Sequence, residues 1–136
     1  MSELGFLAEI AARTVWMEAR NQGDAGMSAV AHVLRNRVAD GRWGTSFATV
    51  CLAPFQFSCW NTADPNRGAM ARLGTGDTSL EAARTALLNS ANQADPTDGA
   101  THYVTEGVLE QMAPAWTKGA TRTVQIGQHV FFKGVA

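Results

Sequence analysis

The feature that most constrains the fold is a helical repeat of apolar residues over residues 3–20. Small and apolar side chains recur there at intervals of three and four, which places them on one face of an α-helix. A second segment, residues 25–39, has the same spacing after a break at Gly23-Asp24. In that break Gly23 is a candidate helix stop and Asp24 a candidate N-cap. The sequence therefore predicts two packed helices at the start of the chain.

The rest of the chain changes from helical to β-like patterns. A short helix is predicted in TSFATVCLA and a longer one over residues 78–92, whose opening Thr78–Glu81 resembles a capping box. Three β-prone runs follow, THYVT, TRTVQIG and QHVFFK, and the last two meet at a glycine as in a hairpin. The segment GVLEQMAPAWTKGAT lacks either period, so we expect it to be irregular. These patterns predict one α+β domain over residues 1–136, with N-terminal helices followed by a small antiparallel sheet.

Composition and charge exclude several classes of function. The chain has 11 basic and 12 acidic residues and no basic run, so we expect no nucleic-acid partner. No stretch approaches the ~18 uninterrupted apolar residues of a transmembrane helix, so we expect no membrane span. The N-terminus has an early acid and no basic segment, so it does not resemble a signal peptide and predicts synthesis in a cytoplasm. Cys51 and Cys59 can pair in an oxidising compartment, and the cysteine count leaves both states open.

Glu18 is the unusual residue of the first predicted helix. It continues the apolar face that includes Ile10 and Val15, and it lies near the carbonyl end of the helix. Desolvation and the negative helix end both disfavour the ionised form, so we expect a raised pKa for Glu18. A carboxyl group still protonated near neutral pH is suited to general acid catalysis. The alternative is that Glu18 pairs with Arg13 or Arg20, or is solvated beyond an early helix end.

Five short motifs run in order across about residues 13–133. They are Glu18-Ala19-Arg20, Asn36-Arg37-Val38, Gln56-Phe57-Ser58, Asp95-Pro96-Thr97 with Gly99-Ala100 and Tyr103, and Gly127-Gln128-His129-Val130-Phe131. In this order and spacing they resemble the SleB-type cell wall hydrolases, a family of spore-cortex-lytic enzymes and related phage and bacterial peptidoglycan hydrolases. One departure is that family members often carry Glu-Ala-Arg-Gly-Glu, whereas Gln22 stands here in place of the second acid.

The resemblance implies a lysozyme-like, lytic-transglycosylase-related fold and cleavage of the β-1,4 bond between N-acetylmuramic acid and N-acetylglucosamine. It also implies that Glu18 is the catalytic acid. In a lytic transglycosylase one carboxyl group suffices, because the C6 hydroxyl of the muramic residue attacks C1 and closes a 1,6-anhydro ring. Most glycosidases need a second carboxylate. The candidates for that role do not stand out by sequence; they are Asp24, Asp64, Asp95 and Asp98.

Two alternative functions remain open at this point. If a water molecule attacks C1 in place of the C6 hydroxyl, the protein is a hydrolytic muramidase that uses the same glutamate. A different class is a non-catalytic peptidoglycan-binding module. The residue pattern favours neither a metal nor another cofactor, because His32, His102 and His129 are dispersed and lack metal-ligand spacing.

We assign contacts with the glycan to five residues of the motifs and their neighbours. Gln56 and Ser58 have side chains that can hydrogen-bond to N-acetyl and hydroxyl groups, although both can instead satisfy loop backbone. Phe57 and Trp60 can stack on sugar rings, and for Phe57 a place in the core is favoured. Tyr103 can reach the cleft with its hydroxyl or pack in the core.

Other polar and aromatic residues have simpler structural explanations. We expect packing for Trp43 and Trp116, helix attachment for Asn36 and Arg37, and turn formation for Asp95 and Thr97.

The expected partner is the glycan strand of peptidoglycan, bound by a monomer. Because the sequence shows neither a signal peptide nor a cell-wall-binding repeat, we expect a phage or prophage endolysin, made in the cytoplasm of a bacterial host and acting on the cell wall. A holin-type partner that permeabilises the membrane would release it. The alternatives are a bacterial autolysin and a single-domain housekeeping hydrolase.

Overall fold

The computed structural model describes residues 3–53, 57, 60 and 77–136, with side chains from residue 9 onward. The helices in these ranges are α1 (Glu3–Ala19), α2 (Gly23–Asp40), α3 (Phe47–Leu52), α4 (Thr78–Asn89) and α5 (Glu106–Gln111). The strands are β1 (His102–Thr105), β2 (Thr121–Ile126) and β3 (His129–Lys133), and a 3₁₀ turn spans Ala115–Thr117. Helices followed by a small sheet confirm the predicted α+β class.

The main core lies between the helices. Helix α1 packs against α2, α3 and α4, and its predicted apolar face is confirmed because Ile10, Thr14 and Val15 are all buried. Leu34 of α2 and Leu80 of α4 complete the centre of this core and are fully buried. Each such aliphatic side chain contributes roughly 1.5–3 kcal/mol by leaving water. The end of α1, where Glu18 lies, is therefore held against a rigid core.

Three predicted details of the helices are wrong. Gly23, with a φ of +72°, is the first residue of α2 and not the stop of α1, so Asp24 lies in the first turn instead of at the cap. Helix α4 is capped one residue earlier than predicted, because the Asp77 carboxylate accepts from the N–H groups of Ser79 and Leu80.

The segment predicted to be irregular contains α5 and the 3₁₀ turn. Helix α5 begins where the Thr105 hydroxyl accepts from the Val108 N–H. It has only six residues, too few to show a helical period in the sequence.

The sheet has the order β1-β3-β2 and is antiparallel throughout. Tyr103 of β1 and Val124 of β2 are both paired with Phe131 of the central strand, and the register shifts between Arg122 and Val124. One face, with Phe131, packs on α2. The other, with Val130, packs on residues of α5 and the 3₁₀ turn. Because both faces are covered, β3 is a continuous buried run rather than an alternating one.

Two attachments set the position of the sheet relative to the helices. The Gln22 Oε1 atom, in the turn between α1 and α2, accepts a hydrogen bond of 3.0 Å from the N–H of Gln128 in the β2–β3 turn. Gly127, at a φ of +59°, makes this approach possible, since a Cβ there would lie 2.4 Å from Gln22 Oε1. The residue that replaces the second acid of the family motif thus joins the helical and sheet halves.

Helix α2 is attached to the segment that leads into β1. The Asn36 Nδ2 atom donates to Asp95 Oδ2 and to the Ala100 carbonyl, both at 2.8 Å. Arg37 Nε donates to the Thr101 carbonyl at 2.7 Å. These bonds confirm the attachment role predicted for Asn36 and Arg37. None of the described helices is both long enough and apolar enough to span a bilayer.

Candidate active site

Glu18 and Tyr103 meet where the end of α1 faces strand β1. Glu18 lies in the last turn of α1 and is half-buried. The Tyr103 hydroxyl donates a hydrogen bond to Glu18 Oε1. Residues 85 positions apart in the chain are thereby brought into direct contact. The structure thus places two of the residues predicted for the site side by side.

The alternative partners of Glu18 have other contacts. Arg13 Nε lies 3.5 Å from Glu9 Oε2, one turn earlier on α1. The Arg20 guanidinium lies over the Trp16 ring, 4.4 Å from its centroid. The hydrogen bond from Tyr103 shows that the Glu18 carboxyl group faces the sheet, as its position on the apolar face of α1 predicts.

The ring of Tyr103 is held between two other rings of the sheet. Its centroid lies 4.8 Å from that of His129 and 5.5 Å from that of Phe131. Phe131 is fully buried, and burial lowers the pKa of His129 below its ordinary value. A neutral imidazole and a phenyl ring therefore orient the phenol, so that its hydroxyl direction is set by packing.

Arg37 brings a buried positive charge close to this pair. It is 5% exposed, and its guanidinium lies 4.7 Å from the Trp43 ring centroid and 5.1 Å from that of Phe57. Burial lowers the pKa of Arg37, while the nearby Tyr103 and Glu18 act in the opposite sense. An arginine keeps its charge even so. The site therefore combines an acid, a phenol and a guanidinium.

An aromatic cleft opens next to Tyr103. Its volume is about 470 Å³. His102 lies between two tryptophans, with its ring centroid 5.3 Å from that of Trp43 and 5.0 Å from that of Trp116. The cleft is lined by Arg37, Arg42, Trp43, His102, Tyr103, Trp116, Val135 and Ala136. Rings in such a row offer flat apolar surfaces of the kind on which sugars stack.

The cleft includes residues whose site position the sequence did not reveal. Trp43 and Trp116 do pack against core clusters, as predicted, but both also line the cleft. His102 and Arg42 were not predicted to lie there. A usable signal was present in the glycine-bracketed Arg42-Trp43 pair, because a large aromatic residue in a short turn is often accessible.

The predicted Gln-Phe-Ser loop is described only in part. Gln56 and Ser58 lie outside the described residues. Phe57 is 2% exposed and belongs to the main core, so the packing alternative is confirmed for it and no ring face is left for a sugar. Trp60 is half-buried, and its Nε1 donates to Thr14 Oγ1 at 2.8 Å, one helical turn before Glu18.

The candidate second acids in the described residues have other contacts. Burial alone would raise the pKa of Asp95, but hydrogen bonds from Thr97 and Asn36 lower it overall. Asp95 and Thr97 are turn-formers, as predicted, since Asp95 Oδ1 accepts from both the Thr97 N–H and the Thr97 hydroxyl. Asp98 forms an ion pair of 3.0 Å with Lys133. Asp24 lines a separate groove between α2 and α4, and Asp64 lies outside the described residues.

The thiol of Cys51 is far from reactive. It is free and fully buried next to α1, and burial raises its pKa to about 12. A thiolate is the reactive form of cysteine, and this environment suppresses it. Cys59, for which the cysteine count left a disulfide with Cys51 open, lies outside the described residues.

A comparison with known protein families gives a match over most of the chain. Residues 21–132 match the family model described as Cell Wall Hydrolase. The chain belongs to this family. The matched stretch contains the attachment residues of α2, most of the cleft residues and the sheet up to Phe132, whereas Glu18 lies just before its first residue.

Individual relatives point the same way. The spore cortex-lytic enzyme of Halalkalibacterium halodurans is 28% identical over 123 residues, which is 90% of this chain and 33% of the relative. The chain thus spans about a third of the length of that curated relative. The catalytic domain of the germination-specific lytic transglycosylase SleB from Bacillus anthracis matches with a TM-score of 0.74 and 26% identity over 98% of this chain and 97% of that one.

A second solved structure is similar. The catalytic domain of the SleB protein from Bacillus cereus has a TM-score of 0.73 and 25% identity, and the match covers 93% of this chain and 89% of that one. The fold is therefore that of SleB catalytic domains, which confirms the lysozyme-like α+β architecture predicted from the motifs.

Proposed function

We propose that this chain is a peptidoglycan lytic transglycosylase that cleaves the β-1,4 bond between N-acetylmuramic acid and N-acetylglucosamine, with Glu18 as its acid and base. The observation that carries the proposal is the hydrogen bond from Tyr103 to Glu18 beside the aromatic cleft. A half-buried carboxyl group next to a groove lined by rings has the surroundings expected of a glycosidase acid.

The first step needs a proton on Glu18. Glu18 donates it to the glycosidic oxygen as the bond to C1 breaks, and the N-acetylglucosamine portion leaves as an alcohol. The Tyr103 hydroxyl can donate or accept, so it stays within bonding reach of Glu18 in both protonation states. Together with the charge of Arg37, it stabilises the carboxylate that remains and so strengthens the acid. These contacts oppose the raised pKa that burial alone predicts for Glu18, and the raised pKa stays a prediction.

The second step uses the same carboxylate as a base. Glu18 takes the proton of the C6 hydroxyl of the muramic residue, whose oxygen forms a bond to C1 and closes the 1,6-anhydro ring. The nucleophile belongs to the substrate, so its proximity replaces a second catalytic carboxylate. Asp95 accepts hydrogen bonds within its own turn and Asp98 pairs with Lys133, and both contacts support this mechanism over one with two catalytic acids. So does the presence of an amide at Gln22, whose oxygen holds the β2–β3 turn.

The relatives support the same chemistry. One of the similar structures is described as a lytic transglycosylase, and the curated relative is described as a spore cortex-lytic enzyme. Both descriptions agree with a glycan-cleaving role for the shared fold. The proposed acid, Glu18, lies in the last turn of α1 and accepts from Tyr103, which lines the cleft.

The test is the substitution Glu18→Gln, which keeps the shape of the side chain and its bond to Tyr103 but removes the acid. We expect release of soluble muropeptides from purified sacculi to fall by at least about a hundredfold, the scale of general acid catalysis. Glu81→Gln is the matched control, because Glu81 is an exposed glutamate of α4 that pairs with Arg84 on the surface. It should keep the wild-type rate.

The products separate the alternatives. Lytic transglycosylase products carry anhydro ends and are lighter by one water molecule than those of a muramidase. Only reducing ends would assign the hydrolytic mechanism. Binding to sacculi with no release by the wild-type protein would assign a binding module. The endolysin origin and the holin-type partner stay predictions of the sequence, and lysis of a bacterial host by the expressed chain with and without a co-expressed holin checks them.

A further inference from the structure

The cleft beside Tyr103 carries positive charge as well as aromatic surface. Arg37 and Arg42 both lie over Trp43, with their guanidinium carbons 4.7 and 4.6 Å from its ring centroid. Arg37 is 5% exposed, whereas the side chain of Arg42 is 43% exposed. Both line the cleft. Arg42 is therefore the cation that a ligand in the cleft can reach, whereas Arg37 is almost fully buried in the wall of the cleft.

Arg42 pairs with an acid but keeps hydrogen-bond donors outside that pair. Asp40 Oδ1 accepts from Arg42 Nε at 2.8 Å. That bond uses one of the five N–H donors of the guanidinium, which leaves both terminal amino groups of Arg42 outside it. Arg37 lies close to Glu18, so its charge already interacts with the acid of the site. An anion in the cleft would therefore bind at the terminal amino groups of Arg42.

His102 contributes a neutral ring to the cleft. Its pKa is lowered to about 4, first by burial and then by the charges of Arg37 and Arg42. The imidazole is thus neutral at physiological pH and acts as a third flat ring between Trp43 and Trp116. Burial disfavours a charge of either sign, so only the part of this shift that comes from Arg37 and Arg42 would also favour an anionic ligand.

We propose that this cleft is a subsite for the carboxylate-bearing side of a muramic acid residue, with Arg42 as the charged contact and Trp43 and Trp116 as apolar walls. The proposal rests on the proposed function for the identity of the glycan. N-acetylated sugar rings carry no charge, so the negative charge of peptidoglycan strands lies on the lactyl group or on the stem peptide attached to it. Because Tyr103 both lines the cleft and bonds to Glu18, a strand at the acid extends into this subsite.

The experiment measures binding in the Glu18→Gln background, in which turnover cannot consume the probe. Four soluble tetrasaccharides are compared by calorimetry. Two carry stem peptides with free or with amidated carboxylates, one carries the bare lactyl carboxylate, and one is the neutral chitotetraose. A partly exposed ion pair contributes up to about 1 kcal/mol, so the free-carboxylate peptide should bind about fivefold more tightly than its amidated form.

Two further variants assign that preference to a residue. Arg42→Gln should bring the two affinities within about twofold of each other, because it removes the charge and keeps a polar side chain on an exposed turn. Arg122→Gln is the matched control, since Arg122 is an exposed arginine of β2 that bonds to Gln125. It should keep the full preference. The preference should also shrink with added salt, as for any partly exposed ion pair.

The outcomes separate this proposal from the proposed function. A preference that survives in Arg42→Gln overturns the subsite, and so does binding of the charged glycans no tighter than that of chitotetraose. A preference shared by the bare lactyl compound assigns the lactyl carboxylate, and one confined to the peptide compound assigns the stem peptide. If the preference depends on Arg42 while the wild-type protein releases no muropeptide, the proposed function fails and the subsite stands.

Discussion

Replacing Tyr103 by phenylalanine removes one oxygen atom from the site and leaves the ring in place. The ring contacts with His129 and Phe131 remain, so the free energy of unfolding should fall only by the contribution of the lost hydrogen bond. What is lost is the hydrogen bond to Glu18. A bond to a charged group contributes about 1.5–3 kcal/mol, and the half-buried position of Glu18 favours the lower value.

The free energy of this hydrogen bond sets the expected decrease in kcat/KM. If the bond orients Glu18 and stabilises the carboxylate formed in the first step, its loss should lower kcat/KM by about tenfold. The pH dependence should also change. The Tyr103 hydroxyl favours ionised Glu18, so without it the carboxyl group keeps its proton to higher pH. The fall of activity on the alkaline side should therefore move to higher pH in Tyr103→Phe.

The assay is release of soluble muropeptides from sacculi, followed as initial rates across pH for the wild-type and variant proteins. Thr123→Val is the matched control, because Thr123 Oγ1 donates to the Phe131 carbonyl in the same sheet at 3.3 Å. It deletes a hydroxyl hydrogen bond without touching Glu18 and should leave the pH profile unchanged. A folded Tyr103→Phe protein with wild-type kcat/KM and an unshifted profile would refute the positioning role.

Two further predictions concern the fold around the site. Gly127→Ala should destabilise the protein by about 1–2 kcal/mol in chemical denaturation, because a non-glycine residue is strained at a φ of +59° and its Cβ would lie 2.4 Å from Gln22 Oε1. Gly107→Ala is its control and should stabilise by about 0.5–1 kcal/mol, since its position in α5 is helical and open. The pKa of His102 is about 4 in the folded protein against 6.5 ordinarily, so the unfolded chain takes up this proton first as pH falls. The free energy of unfolding should therefore decrease between pH 6.5 and about 4, and His102→Gln should show a smaller slope over that interval; an NMR titration of His102 with a midpoint near 6.5 would contradict this.

The elements of the fold were largely predictable because their signals are local. The apolar face of α1, the continuation of the same pattern in α2 and the β-prone runs around Gly127 all appear in the structure. The misses have physical reasons. Helix α5 is too short to show a period, and the cap of α4 is decided by Asp77, whose carboxylate outcompetes a hydroxyl one residue later.

The candidate site was predictable only in part. The position of Glu18 on a buried face is a local property of one helix, and the structure bears out that position. The packing of Phe57 was open in the sequence, because an aromatic residue in a loop suits a core and a sugar equally well. The cleft of Trp43, His102 and Trp116 was not predictable, since its members come from three separate segments.

The sequence by itself determined the α+β class, the family resemblance and the acid at the end of the first helix. Periodicity and motif order depend only on neighbours along the chain. The tertiary structure alone decided that Tyr103 holds Glu18, that Gln22 fastens the β2–β3 turn and that two arginines flank an aromatic cleft. These contacts join residues far apart in sequence. Their formation depends on how the sheet packs on the helices, which no local pattern encodes.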